Sequence, residues 1–213
     1  LKAPTLWEKR AAWHQISDRN ANELAPQLIR LAENKKINVT TRIHALWSLE
    51  GLKHFDAHLM DTLITETEDE LRREAIRSLS SFDIEPSQMA SYLNDLTNDP
   101  NVMIRSQVLR TLADYGQANR ETIDILVSYC RPDIPGVDLG GPYERSFERY
   151  VARMALEQYP DALIDYLDHP LSMQQPATHR FWAIQALTLE KKEAYFVDLW
   201  DALKSEPWDL ATF

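Results

Sequence analysis

The chain has 213 residues, of which 44% are hydrophobic and 26% charged, a composition typical of a folded protein that excludes disorder throughout. Five glycines are too few for an all-β protein with many tight turns, so the composition favours helices. The formal net charge of -10 repels polyphosphate and anionic membranes, so we expect no nucleic-acid partner.

Cysteine content and hydropathy exclude further classes of protein. The single cysteine, Cys130, excludes an internal disulfide and a zinc site of the common cysteine type. The sequence has no apolar run of about eighteen residues, so we expect no membrane span. Residues 1–4 (LKAP) contain neither an initiator Met nor the apolar core of a signal peptide, and we expect a processed product or a domain excised from a larger protein.

One pattern recurs along the chain: an arginine, a small or apolar residue at +3, often another at +4, and leucine at +7. In one loose copy, Arg153 stands at +4, where an apolar residue is expected. The copies begin about one short helix pair apart, and the long step from Arg105 to Arg149 indicates an insertion. The copies begin at Arg10 (degenerate), Arg42, Arg72, Arg105, Arg149 (loose) and Arg180.

These offsets predict paired helices. Side chains three, four and seven residues apart share one helix face, so each copy predicts a helix with an apolar stripe. A second stripe precedes most copies, as with Leu24, Leu28 and Leu31 ahead of Arg42. Because one pair cannot bury its own apolar face, we predict an all-α fold, an α-α superhelix of about six stacked helix pairs, as a single domain over residues 1–213.

Helix boundaries are indicated by capping residues. Thr67 with Glu70 forms a capping-box pattern, and Asp99 before Pro100 predicts an N-cap. Other expected starts lie at Asn38, Pro86, Pro160 and Pro176, and expected ends lie at Gly51 and Gly116.

The segment 99–105 (DPNVMIR) and the arginine copies resemble bacterial HEAT repeats over nearly the whole chain. Residues 42–52 (RIHALWSLEGL) and 143–150 (YERSFERY) are similar to the HEAT domain of large multidomain bacterial proteins that combine a sugar-dehydrogenase-like propeller, HEAT repeats and a c-type cytochrome. That resemblance implies a periplasmic or exported, redox-associated parent in which this region is a spacer or docking platform. The chain has no Cys-x-x-Cys-His motif for haem attachment, so the parent's chemistry is assigned to no residue here.

The long step between copies contains segment 131–142, with three of the five glycines, and predicts an insertion loop. Because loops on a rigid scaffold often carry recognition, we predict a partner-binding site there, with Asp133, Asp138, Tyr143 and Arg145 as candidate contacts. A calcium site on the two acids and a plain connector are the alternatives.

The remaining candidates favour structural roles. The repeated arginines are expected to pair with acidic turns inside the stack, because Asp69 and Asp99 lie just upstream of two of them. Cys130 continues an apolar stripe and is expected to be buried. His54 and His58 are not expected to bind a metal, because Gly51 interrupts the helix ahead of them. Trp13, Trp47, Trp182 and Trp200 are either packing residues or partner anchors.

We predict a non-enzymatic scaffold for protein-protein or interdomain interaction, with no metal or cofactor, because no coherent catalytic set appears. The partner is another protein or other domains of the same parent, against which the apolar stretch 195–208 would pack unless it is an ordinary last helix. The alternative is a helical-repeat enzyme, DNA glycosylase-like or lyase-like, working in the concave groove. That enzyme requires a basic groove with aromatic platforms, or a buried carboxylate facing the groove.

Overall fold

A computed structural model describes residues 1–131 and 141–205. These residues form twelve α-helices and no strand, with short 3-10 helices between some of them. The α-helices are α1 (Leu6–Asp18), α2 (Ala25–Glu33), α3 (Val39–Gly51), α4 (Ala57–Ile64), α5 (Asp69–Ser78), α6 (Pro86–Leu93), α7 (Val102–Tyr115), α8 (Arg120–Ser128), α9 (Pro142–Leu156), α10 (Pro160–Leu167), α11 (Ala177–Ala183) and α12 (Leu189–Leu203).

The chain divides into two compact units, Leu1–Ile84 and Glu85–Phe213. In the first unit α2 packs on α3 and α4 packs on α5, while α3 lies between α1 and α5 in one row of helices. Fully buried apolar side chains from both rows make its core, and each contributes about 2 kcal/mol through the area removed from water. They include Leu28, Leu46, Leu49, Leu59, Leu63, Leu71 and Ile76.

The second unit repeats this arrangement. Helix α9 contacts α7 and α11 in one row, α8 contacts α6 and α10 in the other, and α12 packs on α11. Its buried core includes Met89, Leu93, Ile104, Val108, Leu112, Ile123, Leu126, Leu163, Tyr166 and Ile184.

Repeated, stacked helix pairs confirm the predicted all-α solenoid. The assignment of residues 1–213 to a single domain stays a prediction.

The repeated arginines close the ends of preceding helices. Arg42 Nε donates to the carbonyl oxygen of Ala32 at 2.7 Å, and Arg72 Nε donates to that of Ile64 at 2.7 Å. The last carbonyls of a helix have no partner within it, and a guanidinium satisfies them and also suits the negative end of the helix dipole.

In the second unit the corresponding arginines also donate to backbone carbonyls, one at the end of a 3-10 helix and one three residues after α8. Arg105 Nη1 donates to the carbonyl oxygen of Asp99 at 2.6 Å, and Arg149 Nη1 donates to that of Arg131 at 3.0 Å. These four arginines therefore bond within the stack, and their partners here are backbone carbonyls, whereas the sequence pattern indicated acidic turns.

Several predicted boundaries are confirmed. Asn38 caps α3 by accepting a hydrogen bond from the Thr41 N–H at 2.9 Å, and Gly51 is the last residue of that helix. Pro86 and Pro160 open α6 and α10, and Pro176 caps α11. Gly116 ends α7 with φ 77°, a left-handed conformation that glycine adopts without strain.

Two predicted caps are wrong. The N-cap of α5 is Glu68 and not Thr67. The N–H and hydroxyl of Thr67 donate instead to the Glu66 carboxylate. At α7 the N-cap is Asn101, whose side chain accepts from the Met103 N–H, since Asp99 accepts from the N–H of Asn101 instead.

Candidate functional site

The predicted partner-binding residues fall in different environments. Asp133 and Asp138 lie outside the described residues. Tyr143 and Arg145 both lie in the first turn of α9, where Tyr143 is exposed and Arg145 is buried. The assignment of all four residues to a partner-binding site stays a prediction.

The buried side of α9 is held by one carboxylate shared among arginines. Arg105 Nε donates to Glu148 Oε1 at 2.8 Å, Arg145 Nη2 lies 2.7 Å from Glu148 Oε2, and Arg131 Nη2 lies 3.9 Å from the same oxygen. All four side chains are less than a tenth exposed. A buried carboxylate that holds one charge-assisted hydrogen bond and lies in ion-pair contact with two further guanidinium groups restricts the rotation of the helix that carries it.

Burial dominates the electrostatics around this buried arginine cluster. It lowers the pKa of the Arg131 and Arg145 guanidinium groups, while Glu148 acts in the opposite direction. Burial also raises the pKa of the Tyr129 hydroxyl, which has no hydrogen-bond partner among the described residues. The cluster is therefore a buried part of the repeat, and the opposite face of α9 is exposed to solvent.

That opposite face presents a row of large apolar side chains. Tyr143, Phe147, Tyr150 and Met154 are 78%, 38%, 52% and 46% exposed. Their offsets of four, three and four residues place them along one side of the helix. We call these four residues the α9 row.

A groove runs beside the α9 row, between α9 and the segments that follow it. It encloses about 380 Å³ and shares Tyr150 with the row. Arg149, Tyr150 and Arg153 come from α9, while Lys192 comes from α12. We call this site the cationic groove; its lining is Ser146, Arg149, Tyr150, Arg153, Phe181, Trp182, Gln185 and Lys192.

Cations lie over aromatic rings in the cationic groove. The Arg149 guanidinium carbon lies 5.1 Å from the centroid of the Trp182 ring, and that of Arg153 lies 5.8 Å from the Tyr150 ring. Arg153 also reaches Glu157 at 3.2 Å, in a pair whose two side chains are nearly half exposed. Within the described part of the chain, no carboxylate lines the groove and Lys192 forms no ion pair.

The first unit has a comparable cavity, in which an arginine is paired with carboxylates and Lys53 donates to the carbonyl oxygen of Ser81. It encloses about 490 Å³, and Arg77 donates to both oxygens of Glu50 at 2.8 and 2.5 Å and to Glu74 at 2.8 Å. Burial acts to raise the pKa of Glu50, but hydrogen bonds from Arg77 and Ser81 outweigh it and lower that pKa. These contacts hold α3 and α5 together, and they place a carboxylate among the cations of this cavity.

The tryptophans divide between packing and exposure. Trp13 donates to the carbonyl oxygen of Trp47 at 3.0 Å, and Trp47 donates to Glu74 at 2.9 Å, so both serve helix packing. Trp182 lines the cationic groove, and Trp200 on α12 is partly exposed beside Phe196, with ring centroids 5.5 Å apart. In the apolar stretch 195–208, Leu199 and Leu203 are buried, while residues 206–208 lie outside the described range.

Cys130 is buried as predicted, and burial raises the pKa of its thiol to about 12. His54 lies in the turn before α4 and His58 lies in its first turn.

Sequence reasoning missed the cationic groove. Its signal was Arg153, the charged residue at an apolar position of the loose repeat copy. That departure has a structural reason, since the side chain lies on the exposed groove side of α9 and not in the core.

The alternative of a helical-repeat enzyme required a basic groove with aromatic platforms or a carboxylate facing it. The cationic groove meets the first requirement on a small scale. Among the described residues, its lining supplies no carboxylate to act as an acid or base. The groove therefore matches the substrate-binding requirement of that alternative and not the requirement for a carboxylate.

Over the described residues, no helix is both long and apolar enough to cross a membrane. Residues 56–137 match the family described as HEAT repeats, a range that covers α4 to α8. The comparison with curated proteins gave no match. The family match and the stacked helix pairs together support a HEAT-repeat domain in this chain.

Proposed function

We propose that this chain is a non-enzymatic scaffold that binds a protein partner through the α9 row and the cationic groove. The observation that carries the proposal is the exposure of Tyr143, Phe147, Tyr150 and Met154 on a helix anchored from its other side by Glu148. HEAT repeats commonly mediate protein-protein interaction, which agrees with this proposal.

The energetics favour a protein partner. Large aromatic side chains each bury about 150–250 Å² when covered, and tyrosine, tryptophan and arginine are enriched among residues that dominate interface energy. The α9 row and the groove bring Tyr150, Trp182, Arg149 and Arg153 together on one surface. Because the buried arginine cluster holds α9 in place, a partner meets a preorganised surface.

The partner is either a separate protein or another domain of a multidomain parent. The segment 131–142 leads into α9 in the sequence, so we keep Asp133, Asp138 and Tyr143 as proposed contacts of the same partner. If the resemblance to the multidomain dehydrogenase-cytochrome proteins holds, the interaction takes place in the periplasm or outside the cell.

Site-specific photocrosslinking tests the proposal. A photoreactive phenylalanine derivative is placed at Tyr150, and separately at Asp161, an exposed position on α10 that serves as the control. In extract from the source organism, we expect one specific protein to be captured from position 150 and not from position 161. Tyr143→Ser and Asp133→Asn with Asp138→Asn should weaken that capture if the loop contributes.

Two results would contradict the scaffold proposal. Equal, unspecific crosslinking from both positions would show that the α9 row has no dedicated partner. Turnover of a substrate by the purified chain alone, lost in the Tyr150→Ser variant, would instead support the enzyme alternative.

A further inference from the structure

We propose that the cationic groove and the α9 row bind an acidic amphipathic helix of a partner protein. This inference rests on the proposed scaffold function and names the chemistry of its partner.

The spacing of the α9 row favours a helical ligand. Positions 143, 147, 150 and 154 repeat with offsets of four, three and four, and they span about 16 Å along the helix axis. Side chains spaced this way form a ridge that fits between the i±3 and i±4 rows of another helix. An amphipathic helix with anchors at i, i+3 or i+4 and i+7 therefore covers the row along its whole length.

The charge of the groove selects an acidic ligand. Arg149, Arg153 and Lys192 line it without a carboxylate among the described lining residues, in a chain whose formal net charge is -10. A partner carboxylate can replace Glu157 at Arg153, since that pair is solvent-exposed and such pairs contribute little to stability. A carboxylate on the ligand also gains hydrogen bonds from the exposed Arg153 guanidinium.

Two other occupants fit less well. A nucleic acid meets only three cations here, whereas its phosphates need a continuous basic stripe to overcome repulsion from an acidic chain. A second copy of this chain, docked through the same face about a two-fold axis, would bring Arg149 and Arg153 of one copy against those of the other. Like charges in such an interface are repulsive.

A displayed library of helical peptides tests the inference with the purified full chain. The library carries amphipathic helices of about 20 residues with randomised polar positions and is selected against the unaltered chain. Binding of the enriched peptides is then measured on three proteins: the unaltered chain, the double variant Arg153→Glu with Lys192→Glu, and the control Arg120→Glu. Arg120 lies on α8 and pairs with Asp165 at 2.7 Å, so its reversal changes a similar charge away from the groove.

We expect the enriched peptides to gain Asp and Glu relative to the unselected library. The double groove variant should weaken their binding at least tenfold, and Arg120→Glu should change it less than twofold. Replacing the acids of an enriched peptide by lysine should restore binding to the double variant. Tyr150→Ser, which leaves the charges of the groove unaltered, should also weaken binding of the enriched peptides.

The inference is overturned if enrichment shows no acidic bias or if the double variant binds the enriched peptides as tightly as the unaltered chain. Tighter binding of a labelled single-stranded oligonucleotide than of any enriched peptide would assign the groove to nucleic acid. Concentration-dependent dimerisation abolished by Tyr150→Glu would assign it to a second copy. If crosslinking from position 150 captures a partner by a neutral or basic segment, the scaffold function stands and only the acidic-helix inference fails.

Discussion

Single residues show how the repeat pattern becomes a folded chain. Arg42 serves two purposes, because its Nε caps the end of α2 and its Nη2 contacts Glu66 Oε2 at 2.6 Å. The hydrogen bond from Arg42 lowers the pKa of Glu66 to about 2, against the opposing effect of burial. The sequence pattern identified the arginine, whereas its acidic partner lies at a position that no repeat offset marks.

This shift predicts a pH dependence of stability. The carboxyl of Glu66 has a lower pKa in the folded chain than in the unfolded chain, so its contribution is present above about pH 5 and is lost as the pH falls toward 2. From the shift, the contribution at neutral pH is on the order of 3 kcal/mol. Glu66→Gln should therefore be destabilised relative to the unaltered chain at pH 7, and the difference should shrink toward pH 2.

Urea unfolding at several pH values measures this difference. Glu157→Gln is a matched control, because Glu157 is in an exposed pair and its loss should cost less than about 1 kcal/mol at any pH. A Glu66→Gln deficit that stayed constant from pH 7 to pH 2 would disprove the assignment of the lowered pKa to Glu66.

Residue identity alone also misplaced some caps. Thr67 and Glu70 match the capping-box pattern, yet Glu66 is the acceptor that Thr67 uses. The competing carboxylate is held next to Thr67 by Arg42, a contact between residues far apart in the sequence. Local patterns do not contain that information.

At the scale of elements, close packing of α1 on α3 explains one glycine. A Cβ added to Gly51, the last residue of α3, would lie 2.8 Å from Ser17 Cβ on α1, which is closer than two such atoms can approach. Periodicity predicted the helix end at Gly51 but not the neighbour that requires a glycine there.

This contact predicts a double-mutant result. Gly51→Ala should destabilise the chain by about 1–3 kcal/mol, because Ser17 or its helix must shift. Ser17→Gly removes the obstructing Cβ, so the double variant should be more stable than the sum of the two single effects by roughly 1 kcal/mol or more. Thermal and urea unfolding of the four proteins measure this coupling, and purely additive effects would show that the two residues do not touch.

Helix α9 shows what periodicity misses at this scale. Its repeat copy predicted one apolar stripe, and the helix has two distinct sides: a buried side with Glu148 and Arg145, and an exposed side with Tyr143 and Tyr150. When large residues lie on both sides of a helix, the sequence pattern does not indicate which side is buried. The neighbouring helices decide which side is covered.

At the scale of the whole molecule, the single-domain prediction is open to a direct experiment. Glu148→Gln leaves Arg105, Arg131 and Arg145 buried around an uncharged amide, and such a loss costs about 3–5 kcal/mol. If residues 1–213 unfold as one cooperative domain, hydrogen exchange should quicken in the cores of both units. Exchange that quickens only within residues 85–205 would show that the two units unfold separately.

The amino-acid sequence by itself determined the all-α repeat, the positions of most helices and the structural use of the repeated arginines. These features follow from local periodicity and from the rule that one helix pair cannot bury its own apolar face. Only the tertiary structure decided which polar residues face inward. Arg145 and Tyr143 are two positions apart, yet one contacts a buried carboxylate and the other is exposed. The cationic groove likewise requires α9 and α12 both to line one cavity with Trp182 of α11, and no local pattern records the proximity of segments so distant in the chain.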